Sequence, residues 1–387
     1  MFQDKYVFVQ LTAFLNRTQF NNYVRKYDGN RYVKHFTCWN QLLAMMFGQL
    51  SYRESLRDLI VALEAHRATQ YHLGLGRNTI VKATLAYANQ TRDYRIFEDF
   101  AFYMMKEACK KRETSILNIL GKKYAFDSTT IPLCLATFPW AKFRSKKGGV
   151  KAHVLYDVEA QVPAFYTVTT ASKHDSTAMS SITYEPNSYY IFDRAYDTFK
   201  ELYKIHLTGS YYVVRSKTNL KYKMVKWKRR MPMNVLTDAE VKLTGYLSEK
   251  KYPESFRFIR YYDEEDDREF TFLMNAKHLS ALDVANLYKK RWLVELFFKW
   301  LKQHLKIKRF WGTTKNAVRI QISVAIITYC LVAIVHHDMQ LKRSTYEVLQ
   351  ILSISLTDKT RLRDLFDKTI FNDVKELDYP LFKGLFD

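Results

Sequence analysis

Three carboxylates stand where the local sequence could bring them together. Asp127 is predicted to end a strand in YAFDSTT and Asp193 to end another in YYIFDRAY, whereas Glu295 lies within the basic segment YKKRWLVELFFKWLKQHLKIKRF. If the two aspartates end neighbouring strands, they lie at one edge of a sheet, where a helix packed across that edge can add the glutamate. Converging carboxylates are costly to bury without a cation, and hard oxygen ligands suit Mg²⁺ or Mn²⁺. Two such ions could hold the attacking and leaving oxygens of a phosphodiester.

The basic segment around Glu295 is predicted to form one amphipathic helix. At about 100° per residue, one stripe roughly 60° wide carries Tyr288, Arg291, Glu295 and Lys302. Within the same tolerance the stripe also includes Lys299, Lys306 and Arg309. The opposite third carries the apolar side chains of Leu293, Val294, Phe297, Trp300 and Leu301. We therefore expect Glu295 to bind metal and the neighbouring cations to grip phosphates.

Each of these residues also has an ordinary structural interpretation. A glutamate among helical lysines is usually a salt-bridge partner, and an aspartate after a strand is commonly a turn former. The acidic run at 263–267 is expected to be a solvated turn rather than a metal site. The conjunction of the three carboxylates favours the catalytic interpretation.

Composition indicates a folded protein with a polyanionic partner. The 387 residues are 48% apolar and 16% aromatic, which is enough for two or three domains with substantial cores. A formal charge of +22 points to DNA, RNA or an anionic membrane. The longest apolar run, from Ile322 to Val335, is shorter than the roughly 20 residues that span a bilayer, so it predicts a buried core helix.

Other sequence features exclude several classes of function. The N-terminus lacks the pattern of a secretory signal, which predicts a cytoplasmic protein. The four dispersed cysteines suggest neither a zinc site nor a disulfide framework. No phosphate-binding loop of the G-x4-G-K-[ST] type occurs, so nothing supports the use of ATP.

The chain changes character along its length. Residues 1–117 are predicted to be helical, with Ser51 and Glu54 in capping-box spacing and a further helix starting near Asn78. The glycine-containing turn before Arg77 and Lys82 resembles a helix-turn-helix DNA reader, and an ordinary helical bundle is the alternative. From Tyr124 the pattern alternates strands and helices, an α/β layout, and helices resume from residue 282.

The spacing Tyr288, Arg291, Glu295 and Lys302 is Y-x2-R-x3-E-x6-K. With Asp127 and Asp193 upstream, the chain resembles the DDE transposases of bacterial insertion sequences, in the insertion sequence 4 group that bears a YREK signature. The resemblance runs from about residue 124 to 322. It includes DSTTIPLCLATFPWAKFR, the HD pair at 174–175 and VELFFKWLKQHLKIKRFWGTTKNAV.

The resemblance implies an α/β fold with a ribonuclease H-like catalytic core. It implies a helical DNA-binding domain at 1–117, a catalytic domain at 118–345 with a mostly β insertion at about 218–262, and a C-terminal helical segment at 346–387. Asp127, Asp193 and Glu295 are then catalytic and hold two Mg²⁺, for which Mn²⁺ can substitute. Some relatives hold a flipped base with a tryptophan late in the insertion; here Phe270 or Phe272 would have to replace it.

The implied partner is double-stranded DNA, both the terminal inverted repeats of the element and the target, bound by a homodimer. In that picture Tyr288, Arg291 and Lys302 contact phosphates, and Trp292 either packs the helix or lies against end DNA. Two further basic segments are expected to bind the DNA backbone or to form solvated faces. They carry Lys146 and Lys147, and Lys228, Arg229 and Arg230.

The predicted function is therefore a transposase that cleaves the element ends and joins them to target DNA. It would act in the cytoplasm, at the nucleoid. Two alternatives remain open: a metal-dependent nuclease that does not join strands, and a DNA-binding protein with a dead site.

Overall fold

The computed structural model describes residues 5–111, 117, 119–196, 198–216, 220–265, 267–303 and 309–367. Helices and strands are mixed, so the predicted α/β class is confirmed. Contacts divide the chain into two compact units. The first unit contains residues 1–118, 127–174 and 292–366, and the second contains residues 119–126, 175–291 and 367–387.

The N-terminal part of the first unit is helical, as predicted. Its helices are α1 (Val7–Thr12), α2 (Arg17–Lys26), α3 (Cys38–Leu50), α4 (Leu56–Ala65), α5 (Lys82–Thr91) and α6 (Arg95–Lys111). Two of them start at side chains that satisfy free backbone amides: Asn16 accepts from the amide of Gln19, and Thr37 accepts from that of Asn40.

The predicted capping box at Ser51 and Glu54 is wrong. Helix α4 starts four residues later, where Ser55 accepts from the backbone amide of Asp58. Ser51 instead closes α3, because both its amide and its hydroxyl donate to the carbonyl of Phe47, at 2.9 and 2.7 Å. Tyr52 then turns the chain with a φ of 57°.

The helix expected near Asn78 starts at Lys82. The connection between α4 and α5 spans residues 66–81 and contains a short 3₁₀ turn at Arg67–Thr69. This connection is far longer than the turn of about three or four residues in a helix-turn-helix motif. The spacing of these two helices therefore favours the helical-bundle alternative.

The rest of the first unit places strands and helices around a long apolar helix. Strands β2 (Lys142–Arg144), β3 (Lys147–Asp157) and β4 (Val162–Thr170) form antiparallel pairs. The later helices are α11 (Trp292–Gln303), α12 (Lys315–Asp338), α13 (Thr345–Ser355) and α14 (Leu362–Asp367). Helix α12 is long and apolar enough to cross a membrane, but almost all of it is buried against α3, α5, α6 and α13. The prediction of a buried core helix is confirmed.

The second unit is built on a mixed sheet. Strand β1 (Lys123–Leu133) begins in this unit and pairs in parallel with β5 (Tyr189–Phe192), which pairs in parallel with β6 (Tyr211–Arg215). Antiparallel pairing then continues through β10 (Arg268–Met274), β9 (Phe256–Asp263), β8 (Val235–Leu243) and β7 (Tyr222–Trp227). The helices of this unit are α7 (Asp175–Ala178), α8 (Phe199–Leu207), α9 (Tyr246–Lys251) and α10 (Ala281–Lys289).

The span from 218 to 262 holds β7, β8, α9 and most of β9, so its described residues are mostly in strands, as predicted. Its status as an insertion stays a prediction, as do the domain boundaries. The described residues 264, 265 and 267 of the acidic run lie in a turn between β9 and β10. Asp263 instead ends β9, is only 2% exposed and pairs with Lys289 at 3.0 Å. The expectation of a solvated turn is wrong at this residue.

Candidate active site

Two parallel strands place Asp127 and Asp193 at equivalent positions. In the pairing of β1 with β5, Phe126 is opposite Phe192, and each phenylalanine is followed directly by one of the aspartates. Both phenylalanines are fully buried, whereas both aspartates are half-buried. The paired part of each strand is therefore followed directly by a half-buried carboxylate.

Asp127 does not end its strand, contrary to the sequence expectation. Strand β1 continues to Leu133, and only its pairing with β5 stops at Phe126. The later half of β1 lies beside β3, where a Cβ on Gly148 would come within 2.9 Å of the carbonyl oxygen of Leu133. Glycine therefore permits this close approach, and β1 continues beside β3 after its pairing with β5 has ended.

Asp193 accepts a hydrogen bond from a buried tyrosine. The hydroxyl of Tyr288, on α10, lies 3.2 Å from Oδ1 of Asp193, and Tyr288 is 7% exposed. Burial raises the pKa of Tyr288 to about 12, so the phenol stays protonated at neutral pH and acts as a hydrogen-bond donor to Asp193. The expected phosphate contact of Tyr288 stays a prediction.

A third neighbouring strand, β6, carries an arginine at the equivalent position, and the sequence interpretation missed this residue. Val214 is opposite Phe192 in the pairing of β5 with β6, so Arg215 follows at the position equivalent to Asp193. Burial lowers the pKa of Arg215, while the nearby Tyr288 and Asp193 favour its charged form. The matching strand endings YYIFD and YYVVR could have revealed it.

An aromatic cluster surrounds Tyr288. Its ring lies 4.8 Å from that of Phe272 and 6.0 Å from that of Phe270. The guanidinium groups of Arg215 and Arg268 approach the ring of Phe270 at 5.2 and 5.4 Å. Phe272 is 1% exposed, so as a core residue it cannot serve as the base-holding aromatic. Phe270 is half-buried and stays a candidate for that role.

The predicted single helix around Glu295 is wrong, because two helices occupy that segment. Helix α10 ends at Lys289, and α11 begins at Trp292. The amides of Lys290 and Arg291 donate to carbonyls three residues back, at 3.2 and 2.9 Å, which tightens the backbone at the end of α10. The assumed helical rotation of 100° per residue therefore does not hold between Tyr288 and Glu295, so the predicted stripe of side chains is interrupted there.

Within α11 the predicted apolar face is largely confirmed. Val294, Phe297, Trp300 and Leu301 are buried, whereas Leu293 is half-buried. The ring of Phe297 lies 5.4 Å from Tyr156 of β3 and 4.8 Å from Tyr329 of α12. This packing fixes the helix and leaves Glu295 half-buried in its first turn. A carboxylate there also interacts favourably with the helix dipole.

The cations near Glu295 differ in their surroundings. Arg291 is half-buried, with its guanidinium 5.7 Å from the ring centre of Tyr288. Trp292 and Lys302 are half-buried, and Lys299 is exposed. Arg309 forms an ion pair with Glu54. Lys306 lies outside the described residues.

The other predicted DNA contacts are all exposed. The exposed side chains are those of Lys146 and Lys147, Lys228, Arg229 and Arg230, and Arg77 and Lys82. Lys228 forms an ion pair with Asp238 at 2.9 Å, and the guanidinium of Arg77 lies 4.9 Å from the ring centre of Tyr71. Their exposure is compatible with a polyanionic partner and with a solvated face.

The donor chemistry of Asp127, Asp193 and Glu295 fits a hard divalent cation. The described residues contain no group of three or more His, Cys, Asp or Glu side chains gathered as a metal site. What the structure provides is the equivalent placement of the two aspartates and the half-buried position of Glu295.

Residues 121–331 match the model of the transposase DDE domain, and residues 3–76 match a domain of unknown function, DUF4372. The chain is 31% identical over 290 residues to a Sinorhizobium fredii protein, y4zB, whose assigned function is transposase; the match covers 73% of this chain and 78% of that protein. It is 30% identical over 246 residues to a Geobacillus stearothermophilus protein assigned as the transposase of insertion sequence element IS5377, covering 63% and 64% of the two chains.

A third relative, from Synechocystis, is assigned as the transposase of element IS4SA and is 24% identical over 294 residues, covering 74% of this chain and 81% of that one. Among solved structures, a piggyBac transposase synaptic complex with hairpin DNA aligns with a TM-score of 0.48 and 11% identity, over 97% of this chain and 87% of that one.

The chain belongs to the transposase DDE domain family. It is an insertion-sequence transposase by family, and DNA is its partner. The recognition of a DDE transposase from sequence is thus confirmed, and domains of this family generally use divalent metal ions.

Proposed function

We propose that this chain is a transposase of the insertion sequence 4 group that binds the terminal inverted repeats of its element, cleaves the ends and joins them to target DNA. The observation that carries the proposal is the placement of Asp127 and Asp193 directly after paired residues of two parallel strands. This placement occurs within a chain of the transposase DDE domain family. Strands β1, β5 and β6 would then belong to a ribonuclease H-like core.

Asp127, Asp193 and Glu295 would hold two Mg²⁺, which would supply charge stabilisation and an activated nucleophile for phosphodiester displacement. The chain itself contributes orientation. The hydroxyl of Tyr288 donates to Oδ1 of Asp193, so one carboxylate oxygen is held and the other stays available. Arg215 adds positive charge beside the same carboxylate.

Positive side chains around α11 would grip phosphates on either side of the reacting bond. Arg291 and Lys302 are half-buried and Lys299 is exposed, so each retains access to solvent. Trp292 is half-buried at the first position of α11 and could stack on end DNA. Because two ends must be cut in concert, we propose that a homodimer assembles on the DNA.

The decisive experiment compares two first-turn glutamates. Glu295→Gln is expected to abolish cleavage of end-bearing DNA in Mg²⁺ while leaving DNA binding nearly unchanged, because it removes a charged ligand but keeps the shape. Glu249→Gln is the matched control, since Glu249 occupies the first turn of α9. Cleavage at the wild-type rate by the Glu295 variant would contradict the proposed role.

The same reactions distinguish the alternatives. Joined products with target DNA support transposition. Nicked DNA without joined products would indicate a nuclease, and bound but intact DNA would indicate a protein with a dead site.

A further inference from the structure

A deep groove lies on the N-terminal part of the first unit, far along the chain from the carboxylates. It has a volume of about 790 Å³ and is lined by parts of the segments 27–36, 75–80 and 84–93. These segments are the connection after α2, the loop before α5, and α5 with the turn that follows it. We call it the N-terminal groove.

The groove is predominantly cationic. Its basic lining residues are Arg31, Lys34, His35, Arg77 and Arg92. Two acids also face it, Asp28 and Asp93, but Asp93 is engaged by Arg95 at 2.6 Å, a bond that also lowers the pKa of Asp93. The cations therefore outnumber the carboxylates that could neutralise them, and an anionic ligand would be attracted.

Arg92 is the cation most dependent on such a ligand. Its guanidinium donates to Oε1 of Gln41 at 2.9 Å and to the carbonyl oxygen of Phe36, and it lies 5.2 Å from the ring centre of Phe36. All of these partners are neutral, and no described residue forms an ion pair with Arg92. Burial lowers its pKa, which means that its charge is poorly solvated. A phosphate in the groove would compensate that charge.

Exposed aromatic rings line the same groove. Tyr32 is 89% exposed and Tyr87 is 69% exposed. Tyr32 has a φ of 58°, a left-handed conformation that is uncommon for a bulky residue, and the guanidinium of Arg31 lies 5.0 Å from its ring centre. The backbone thus holds a large aromatic side chain in water rather than in the core.

We propose that the N-terminal groove binds a single strand of DNA, with bases stacked on Tyr32 and Tyr87 and phosphates held by Arg92 and its neighbouring cations. A cationic groove with exposed aromatic rings is the general arrangement for single-stranded nucleic acid. Stacking requires exposed base faces, which a duplex keeps covered. DNA is favoured over RNA because the chain belongs to a family that acts on DNA. The inference goes beyond the proposed cleavage site and does not depend on it.

The test measures fluorescence anisotropy of the full chain with a short labelled deoxyribonucleotide strand and with the duplex of the same sequence. Tyr32→Ala and Tyr87→Ala are each expected to weaken single-strand binding about tenfold, the loss of one stacked base, and to change duplex binding little. Tyr32→Phe retains the stacking ring and is expected to bind like the wild type. Lys34→Gln is expected to reduce the salt slope of single-strand binding by about one.

Tyr246→Ala is the matched control, because Tyr246 is 73% exposed with Lys250 at 4.2 Å from its ring centre but belongs to the second unit. Thermal unfolding of each variant shows that the fold is retained. Unchanged single-strand affinity in both alanine variants overturns the proposal, as does an equal loss of duplex binding. Tighter binding of a matched RNA strand overturns the assignment to DNA. Since no cleavage is measured, these outcomes are independent of the Glu295 experiment.

Discussion

At the scale of single residues, the hydroxyl of Tyr288 is the contact with Asp193 that can be removed with the least disturbance. Tyr288→Phe keeps the ring packed 4.8 Å from that of Phe272 and removes only the donor to Asp193. We expect single-turnover cleavage of end-bearing DNA to slow about tenfold, which corresponds to roughly 1.4 kcal/mol and is typical of one hydrogen bond.

Tyr189→Phe is the control for this prediction. The hydroxyl of Tyr189 lies 2.6 Å from Nε2 of His278, and burial raises the pKa of Tyr189 to about 12, as it does for Tyr288. Tyr189 opens β5, whereas Asp193 follows its other end. An unchanged rate for Tyr288→Phe, or an equal loss in both variants, would argue against a specific role for the hydroxyl.

The aspartates were predictable from sequence because each is the first polar residue after a continuous apolar segment. Their equivalent placement follows once β1 and β5 pair in parallel. That β1 continues past Asp127 was not predictable, because its later half lies beside β3, where the backbone of Gly148 approaches it closely. Long-range backbone contacts of this kind leave no periodic signal.

At the scale of elements, the sequence predicted which segments are helical better than it predicted where each helix begins and ends. The apolar face of α11 was correct, but the segment before it was assumed to continue one helix. Two backbone hydrogen bonds to the carbonyls of residues three positions earlier terminate α10. No glycine or proline marks that position in the sequence. Similarly, Ser51 and Ser55 both begin a serine-x-x-acid pattern, and only the packed end of α3 determines which one caps a helix.

The pairing of β8 with β9 contains a buried ion pair whose loss we expect to be costly. Nε and Nη2 of Arg257 each donate to Asp238 at 2.7 Å, and both side chains are 5% exposed. Asp238→Asn is expected to lower the free energy of unfolding by about 3 kcal/mol near neutral pH, because it leaves the guanidinium buried without its counter-charge. Urea denaturation measures this change.

The effect of Asp238→Asn should depend on pH in a defined direction. Burial alone would raise the pKa of Asp238, but hydrogen bonds from Arg257 and Lys228 outweigh it and hold that pKa below its ordinary value. The folded state therefore binds the proton less tightly than the unfolded state does. The stabilising contribution is present above about pH 3.9, the ordinary value, and is lost as the pH falls below it.

The difference in the free energy of unfolding between wild type and the Asp238→Asn variant should consequently become smaller at acidic pH. Glu269→Gln is the control on the neighbouring strand pair, because Glu269 and Arg260 form an exposed ion pair at 2.7 Å with side chains 50% and 45% exposed. That change is expected to have little effect at any pH. If the loss in free energy of unfolding caused by Asp238→Asn stayed constant across the pH range, the lowered pKa assigned to Asp238 would be contradicted.

At the scale of the whole molecule, the two compact units are not consecutive pieces of chain. The first unit joins the N-terminal helices to residues 127–174 and 292–366. Within it, α6 packs against both α12 and β4. Sequence patterns report local structure, so the predicted consecutive domains could not reveal this arrangement. The buried character of α12, by contrast, follows directly from its composition.

The net charge of +22 predicts strongly salt-dependent DNA binding. Substitutions in the segment after β7 can test whether its arginines contact DNA phosphates. Arg229 and Arg230 are exposed, whereas the neighbouring Lys228 is engaged by Asp238. The double variant Arg229→Gln/Arg230→Gln is expected to reduce the slope of log affinity against log salt by about two, since each phosphate contact contributes roughly 0.9. Titrations of duplex DNA at several salt concentrations measure the slope.

The control for this experiment removes the same charge elsewhere. Lys250 and Lys251 are exposed at the end of α9, so Lys250→Gln/Lys251→Gln matches the change in net charge. If only the arginine variant has a shallower slope, these arginines neutralise phosphates directly. If both variants change the slope equally, binding responds to the overall charge, and the segment after β7 is a solvated face. The slope measures the number of counterions released, so it discriminates these outcomes even when the two affinities are similar.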